Sequence, residues 1–419
     1  MTPKLLTTLK TYNRAEFGSD FFAGITVALV ALPLSIAIAI ASGAAPAAGF
    51  VTAIVAGFLI SALGGSRVQI GGPTGAFIVV VAGVIATHGY SGLVAATFLA
   101  GIILIIAGLF RAGQLMRHVP EAVINGFTIG IAVIIGTSQL PDFFGLAGTF
   151  PADFLEKVPE LVHALPDFNP AALAIGLATM VLITLLRRAF PRLPGLIVAV
   201  ALTSGAVALL DLPVETIQSR FGALPQNLPA PVLPDLGLNT IRELLPSALI
   251  IAFLAGVESL LSAMVADRMI GGKHRSNAEL MAQGWANIGS SLFGGLPATG
   301  AIARTATNVR AGGKTPVAGI IHALVLLAIM MLAAPLAGYL ALPALSGLLL
   351  LTAWNMSEPH HWGTYLRARR SDVALLLITL VLTVLTDLTV AIGTGIALGL
   401  AIRLSRRGVE DADWTPRDK

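Results

Sequence analysis

The chain has 419 residues, of which 56% are hydrophobic and 11% are charged, and its mean hydropathy is +0.86. A soluble protein has no interior large enough for this share of apolar surface, so the composition excludes an ordinary soluble domain and predicts an integral membrane protein. The sequence contains no cysteine, which excludes disulfides and thiolate metal sites.

Fourteen elements, mostly helices, are predicted in chain order. The first seven cover residues 20–41, 45–64, 74–87, 91–110, 118–138, 170–188 and 194–211. The second seven cover residues 246–267, 278–293, 300–311, 315–334, 337–354, 372–388 and 389–405. Elements three and ten are too short to cross about 30 Å of hydrocarbon. The sequence therefore predicts an all-α integral membrane protein with 14 transmembrane segments, two of which (segments 3 and 10) are half-helices.

The charges predict the orientation of these segments. If both termini are cytoplasmic, most of the 26 Lys and Arg residues lie on the inner side, and the outer loops are mainly acidic. The expected divisions are a cytoplasmic N-terminus (1–19), a first repeat (20–211), an external loop (212–245), a second repeat (246–405) and a cytoplasmic tail (406–419). This topology explains the basic composition without a nucleic-acid partner, and it predicts a multi-pass protein of the inner (plasma) membrane, with the lipid bilayer around it.

A repeated motif marks the third element of each half. Near element three the chain reads "GGSRVQIGGPTGAF" (Gly64–Phe77), and near element ten it reads "GGLPATGAIAR" (Gly294–Arg304). Seven segments per half is an odd number, so the second half is inserted upside down relative to the first. One such motif alone would be an ordinary turn. Two short Gly/Pro-interrupted segments at matching places of inverted halves indicate the central site of a transporter.

The chemistry of the two motifs favours an anion. Irregular backbone at membrane depth is tolerated only where it is buried or lines a cavity, and helix starts there carry free N–H groups and a positive dipole end. Gly75 and Gly300 allow close approach of a ligand, and Thr74 and Thr299 are expected to cap the helix starts. Arg304, one helical turn beyond Gly300 on the same face, adds a full positive charge.

Glu258 is a lone acid in the apolar stretch Pro246–Asp267. A carboxylate inside a membrane segment is costly and indicates function by default. We expect Glu258 to load and release a proton, with Ser262 one turn later on the same side; a structural ion pair with Arg304 is the alternative. His322 is interpreted as a packing histidine with satisfied hydrogen bonds.

No nucleophile, base and orienting group occur together, so no enzymatic activity, catalytic residue or cofactor is predicted. The stretch "EPHHW" (Glu358–Trp362) is interpreted as a solvated loop, so no metal site is predicted either.

At these motifs the chain resembles the sulfate permease (SulP) family of anion transporters. The stretches that carry the resemblance are "DFFAGITVALVALPLSIAIAIASG", "GGPTGAF", "VPEAVINGFTIGIAV", "AGVESLLSAMVADRM" and "GGLPATGAIARTATNVRAGGKTPVAGI". The resemblance implies a seven-plus-seven inverted repeat with core and gate domains, a substrate between segments three and ten, and a coupling acid on segment eight. The residues that would line the site are Gly75, Ala76 and Phe77 on one side and Gly300, Ala301, Ile302, Ala303 and Arg304 on the other. Glu258 would be the coupling acid, with Ser262 beside it.

Two positions depart from the family pattern. Many members read Pro-Gln-Gly in the first segment, whereas this chain reads Pro33, Leu34 and Ser35, next to the expected substrate site. Members also usually carry a cytoplasmic STAS domain after the last segment, and none is expected within the residues up to Lys419. Family dimers often rely partly on that domain, which weakens the expectation of a homodimer here.

The sequence thus predicts a secondary active anion transporter that works by alternating access and is coupled to protons through Glu258. Sulfate, bicarbonate and dicarboxylates all remain open as substrates. Sodium coupling is less favoured because Ile302 offers no oxygen to a hard cation. An uncoupled anion channel and a nucleobase–cation symporter of the same fold are the alternatives. A channel has little use for a buried acid, and Arg304, together with the absence of a second membrane carboxylate near segment ten, argues against a nucleobase.

Overall fold

The computed structural model describes residues 2–113, 120–148, 150–151, 154–190, 194–386 and 388–405. The helices before the long outer loop are α1 (Lys4–Thr8), α2 (Arg14–Ala41), α3 (Pro46–Leu63), α4 (Ile78–Leu109), α5 (Glu121–Phe144), α6 (Phe154–Ala164), α7 (Pro170–Ala189) and α8 (Gly195–Leu209). The helices from that loop onward are α9 (Ile217–Phe221), α10 (Leu238–Ile270), α11 (Ser276–Leu292), α12 (Ile302–Arg310), α13 (Val317–Gly338), α14 (Leu342–Met356), α15 (Trp362–Leu366), α16 (Arg370–Leu385) and α17 (Leu388–Ser405).

Local sequence signals set several helix ends. Asn13 caps α2 in a reciprocal capping box with Glu16, which satisfies two backbone N–H groups that the helix leaves unpaired. The Asn169 side chain accepts from two N–H groups at the start of α7, directly before a proline. At the other end, Gly271 stops α10 in the left-handed conformation.

Every one of the fourteen predicted elements has a helix in the structure, although the bounds differ. Elements three and four are merged into α4 and separated only by a kink at Gly89 (φ 68°, ψ −179°). Element eight begins at Leu238 rather than near residue 246, inside the predicted external loop. Seven of the described helices are long and apolar enough to cross a membrane: Arg14–Ala41, Pro46–Leu63, Gly75–Leu109, Glu121–Phe144, Pro170–Ala189, Leu238–Ile270 and Val317–Gly338. The number of fourteen crossings stays a prediction.

The fold is mostly helical, but the expectation of helices alone is corrected at one place. Strand β1 (Gly71–Gly72) pairs antiparallel with strand β2 (Thr299–Gly300), with Gly71 opposite Gly300 and Gly72 opposite Thr299. The pair has a physical reason: an extended backbone inside a membrane protein must find hydrogen-bond partners, and here each motif supplies those of the other.

The helices pack into two bundles. The core bundle contains α2, α3, α4, α10, α11, α12 and α13, which contact one another extensively. The gate bundle contains α5, α7, α8, α14, α16 and α17. Each bundle takes helices from both halves of the chain, and β1 and β2 lie inside the core bundle, next to the gate bundle.

Candidate anion site between two half-helix starts

Both half-helices start from the same short ladder. After β1 the chain passes through Thr74 into a 3₁₀ turn, Gly75–Phe77, that leads into α4. After β2 it passes through Ala301 into α12, and the Ala301 N–H donates to the carbonyl of Ile70 at 2.8 Å. Because the two strands are antiparallel, the helices leave the ladder in opposite directions, and both begin directly beside it.

Two glycines of the ladder are required by what lies against them. Gly72 has φ 150°, and a Cβ there would lie 2.4 Å from Nη1 of Arg304. A Cβ at Gly300 would lie 1.6 Å from Nε2 of Gln69. A side chain at either position would displace a buried polar neighbour. Glycine at these positions therefore lets the Arg304 and Gln69 side chains lie directly against the backbone.

The predicted capping roles of the two threonines are wrong. The Thr74 hydroxyl does not cap the turn after it and instead donates to Oε2 of Glu258 at 2.7 Å. The Thr299 hydroxyl lies in β2 and donates to the carbonyl of Ala255 at 2.8 Å. Both threonines therefore tie the ladder to α10, because an acceptor from another helix is available to each.

Arg304 lies in the first turn of α12 and is 1% exposed. Its Nη2 donates to Oγ of Ser35 and to the carbonyl of Pro73, both at 3.0 Å. Its Nε and Nη1 have no hydrogen-bond partner among the described residues. Gly300 is in a strand, so the predicted shared helical face of these two residues does not exist. Arg304 extends behind β1 and reaches the backbone just before the other half-helix start.

Glu258 and Arg304 do not form the ion pair considered as an alternative; within the described part of the chain no such contact is closer than 4.0 Å. Glu258 is half-buried, and its described hydrogen bond comes from Thr74. Ser262 is buried and contacts the hydroxyl of Thr305 at 3.2 Å, which in turn accepts from the N–H of Ile70. The structure thus joins Ser262 to the base of α12.

The remaining predicted site residues divide by exposure. Gly75, Ala76 and Phe77 are buried, and the Cβ position of Gly75 lies within 3.3 Å of Ile135 and Met356 of the gate bundle. Ala301 is also buried, but Ile302 is 40% exposed and Ala303 is exposed. The start of α12 is therefore exposed at Ile302 and Ala303 and buried at Ala301.

The structure corrects the sequence interpretation of His322 on α13. It is fully buried, but neither ring nitrogen has a hydrogen-bond partner among the described residues. A Cβ at Gly57 would lie 3.9 Å from Nε2 of His322 and 3.2 Å from the carbonyl oxygen of Gly71. The imidazole thus packs near β1 without the satisfied hydrogen bonds that the sequence interpretation assumed.

Sequence reasoning missed three polar residues of the site. Gln69, Ser259 and Glu279 are buried and hydrogen-bonded to one another behind the ladder. Gln69 stands inside the repeated motif as a polar residue in an apolar context, which is a signal that could have found it. Ser259 and Glu279 carry no such signal, since a serine is common in membrane helices and Glu279 stands at the expected end of a segment.

Two halves of like construction, each with an interrupted third element and joined by an antiparallel ladder, define a membrane transporter of the inverted-repeat class. The chain belongs to the sulfate permease family, because its residues 17–379 match the sequence model of that family. It is a multi-pass membrane transporter and not an enzyme.

Curated relatives cover nearly the whole chain. The Bacillus subtilis protein named "Putative sulfate transporter YvdB" is 44% identical over 400 residues, which are 95% of this chain and 75% of the relative. The bicarbonate transporter BicA of Picosynechococcus sp. is 32% identical over 403 residues, which are 92% of this chain and 70% of the relative.

Solved structures agree on the fold. The transmembrane domain of a cyanobacterium bicarbonate transporter BicA superposes with a TM-score of 0.82 at 31% identity, covering 92% of this chain and 98% of that domain. Murine solute carrier 26 family member A9, an anion transporter, superposes with a TM-score of 0.86 at 19% identity, covering 97% of this chain and 71% of the other; this likeness concerns the fold alone.

Proposed function

We propose that this protein is a secondary active transporter of small anions that works by alternating access. The observation that carries the proposal is the pair of half-helix starts at one ladder, next to the buried guanidinium of Arg304. Helix starts present free N–H groups and positive dipole ends, so two starts and one guanidinium favour negative charge between them. Family membership, and relatives named for sulfate and bicarbonate, support the same class of substrate.

The anion is proposed to bind between residues 74–77 on one side and residues 299–304 on the other. Ile302 and Ala303 are exposed there and border the space through which it would enter. Arg304 acts mainly by its field, because its guanidinium is covered and the protein around it screens charge far less than water does. Its bond to the carbonyl of Pro73 also holds the other half-helix start in place.

Sulfate, bicarbonate and a dicarboxylate are the candidate substrates. Ser35 bears on the choice, because it occupies the departure from the family pattern and accepts a hydrogen bond from Arg304. A hydroxyl at this point orients the guanidinium, so Ser35 is proposed to tune which anion binds.

Glu258 is proposed to couple transport to protons. A threonine hydroxyl has one proton to donate, and here Thr74 donates it to Glu258. When Glu258 takes up a proton, the Thr74 hydroxyl is released and can donate to an anion beside Gly75. Proton and anion then bind together, which is the requirement for symport. Sodium is less favoured, since Ile302 brings no oxygen to this end of α12.

Both termini are proposed to be cytoplasmic, in the inner (plasma) membrane, because this orientation gathers the Lys and Arg residues on the inner side. In the proposed alternating access, the gate bundle would keep its position in the bilayer while the core bundle moves relative to the gate bundle. A homodimer remains a proposal.

The test is uptake into proteoliposomes that contain the purified protein, with labelled sulfate, bicarbonate, a dicarboxylate and uracil, with and without an inward proton gradient. The proposal expects accumulation of at least one of the anions above its equilibrium level, driven by the gradient. Anion flux that only follows its own gradient would instead identify an uncoupled channel. Accumulation of uracil alone would identify a nucleobase symporter.

A further inference from the structure

A second acid lies deep in the core bundle. Glu279 stands in the first turn of α11 and is completely buried. It plays no part in the proposed coupling, and the burial of a carboxylate is costly unless donors surround it. The donors around the Glu279 carboxylate therefore indicate its role.

Four donors meet the two carboxylate oxygens of Glu279. Oε2 accepts from the N–H groups of Gly65 and Ser66, at 2.8 and 3.2 Å, in the segment that leads to β1. Oε1 accepts from Oγ of Ser259 at 3.0 Å and from Nε2 of Gln283 at 2.8 Å. One carboxylate thus links the approach to the ladder with α10, the helix of Glu258.

The link continues to the second half-helix start. Nε2 of Gln69 donates to Oγ of Ser259 at 2.8 Å and to its carbonyl oxygen at 3.3 Å. The same nitrogen occupies the space where Gly300 would carry a side chain. Ser259 is adjacent to Glu258 in α10, so the chain of contacts from Glu279 to Gly300 includes the residue next to the proposed coupling acid.

We propose that Glu279 is a positioning residue of the transport site: through Ser259 and Gln69 it sets the position of α10 and of both strands relative to each other. This inference rests on the proposed function for its consequence in transport, but the positional part stands on its own. A glutamine at this position would keep one acceptor oxygen and turn an NH₂ group toward N–H and O–H donors, which leaves buried donors unpaired.

Asp20 on α2 supplies a matched control. It is completely buried too, and it accepts from four donors: the N–H groups of Lys314 and Thr315, the Thr315 hydroxyl and the Tyr12 hydroxyl. These donors belong to the N-terminal segment and to the loop between α12 and α13, at the opposite end of α12 from the ladder. Asp20→Asn therefore imposes the same chemical change on a carboxylate of the same kind without touching the site.

The test compares Glu279→Gln with Asp20→Asn in the full chain. Because the protein has no cysteine, Ile302→Cys provides a single thiol at the exposed start of α12. We expect Glu279→Gln to change the rate at which a maleimide labels this thiol by about tenfold and to weaken sulfate and bicarbonate binding by a similar factor. Asp20→Asn should lower the melting temperature and leave both readouts unchanged.

Ser259→Ala is the second variant, since it removes the link but leaves Glu279 with its three other donors. It should change labelling in the same direction, and its effect should not add to that of Glu279→Gln, because both act through one chain of contacts. Labelling rates that match the unmodified background in both variants would overturn the inference. If the parent protein binds none of sulfate, bicarbonate and a dicarboxylate, the proposed function fails, while the labelling result still decides the role of Glu279.

Discussion

At the scale of single residues, Arg304 connects the two half-helix starts. It belongs to one of them, and through its bond to the Pro73 carbonyl it holds the backbone that precedes the other. Two of its nitrogens have no hydrogen-bond partner among the described residues. Arg304 is therefore a covered positive charge that is only partly paired, and its field favours an anion nearby.

Replacing Arg304 with alanine should weaken anion binding by about 10- to 100-fold, because it removes the nearby buried positive charge and the hydrogen bond that holds the Pro73 carbonyl. The helix dipoles remain, so some binding should survive. Isothermal titration of the purified variant with sulfate or bicarbonate measures this. Arg310→Ala is the control, since Arg310 is an exposed arginine at the other end of α12. Equal affinities of the two variants would exclude a role of Arg304 in binding.

The sequence indicated which residues belong to the candidate site better than it indicated what each of them contacts. Glu258, Arg304 and the two glycine motifs stand out because a charge or a break in an apolar segment is costly and so requires a reason. The role of Thr74 could not be obtained in the same way. Helix capping is a local preference of threonine that can be read from the sequence. The partner of Thr74, Glu258, is 184 residues away in the chain and comes close only when the chain folds.

At the scale of elements, the predicted helices were found because each depends on a local apolar run. The strand pair could not be predicted, because two residues per strand have no periodicity and the partners lie in opposite halves of the chain. The two halves of α4 were separated correctly at Gly89, where a positive φ interrupts the helix. The early start of α10 at Leu238 was missed because Pro246 resembles a first helical residue and instead lies inside the helix.

The ladder makes a prediction at this scale. Gly300→Ala should lower the free energy of unfolding by about 1–3 kcal/mol, the usual cost of forcing a side chain into packed space, because the new methyl group must displace Gln69. Gly83→Ala in α4 should be neutral or slightly stabilising, since a Cβ there meets nothing within 4 Å. Thermal unfolding of both variants in the same detergent measures the difference, and equal melting temperatures would contradict the packing at Gly300.

At the scale of the whole molecule, the proposed alternating access would use the two bundles differently. The core bundle holds the ladder, Arg304 and Glu258, and the gate bundle meets it at Gly75 through Ile135 and Met356. A displacement of one bundle past the other would move the site as a unit, because its parts are joined by hydrogen bonds within the core bundle. This is the motion expected of inverted-repeat transporters.

The proposed orientation can be checked with single cysteines in the cysteine-free chain. A cysteine at Ser219 should react with an impermeant maleimide from outside the cell, and one at Arg369 only after the inner face is opened. Both positions are exposed, so access to the reagent is decided by the membrane alone. Reaction of both from the same side would overturn the topology.

Coupled anion transport is tested most directly at Glu258. Glutamine mimics its protonated form permanently, so in proteoliposomes Glu258→Gln should abolish the accumulation of labelled sulfate or bicarbonate that an inward proton gradient drives, whereas exchange of the same anion across the membrane should persist. Glu243→Gln, on the same helix but exposed near its start, should accumulate the anion as the parent does. Undiminished gradient-driven accumulation in Glu258→Gln would contradict the coupling role.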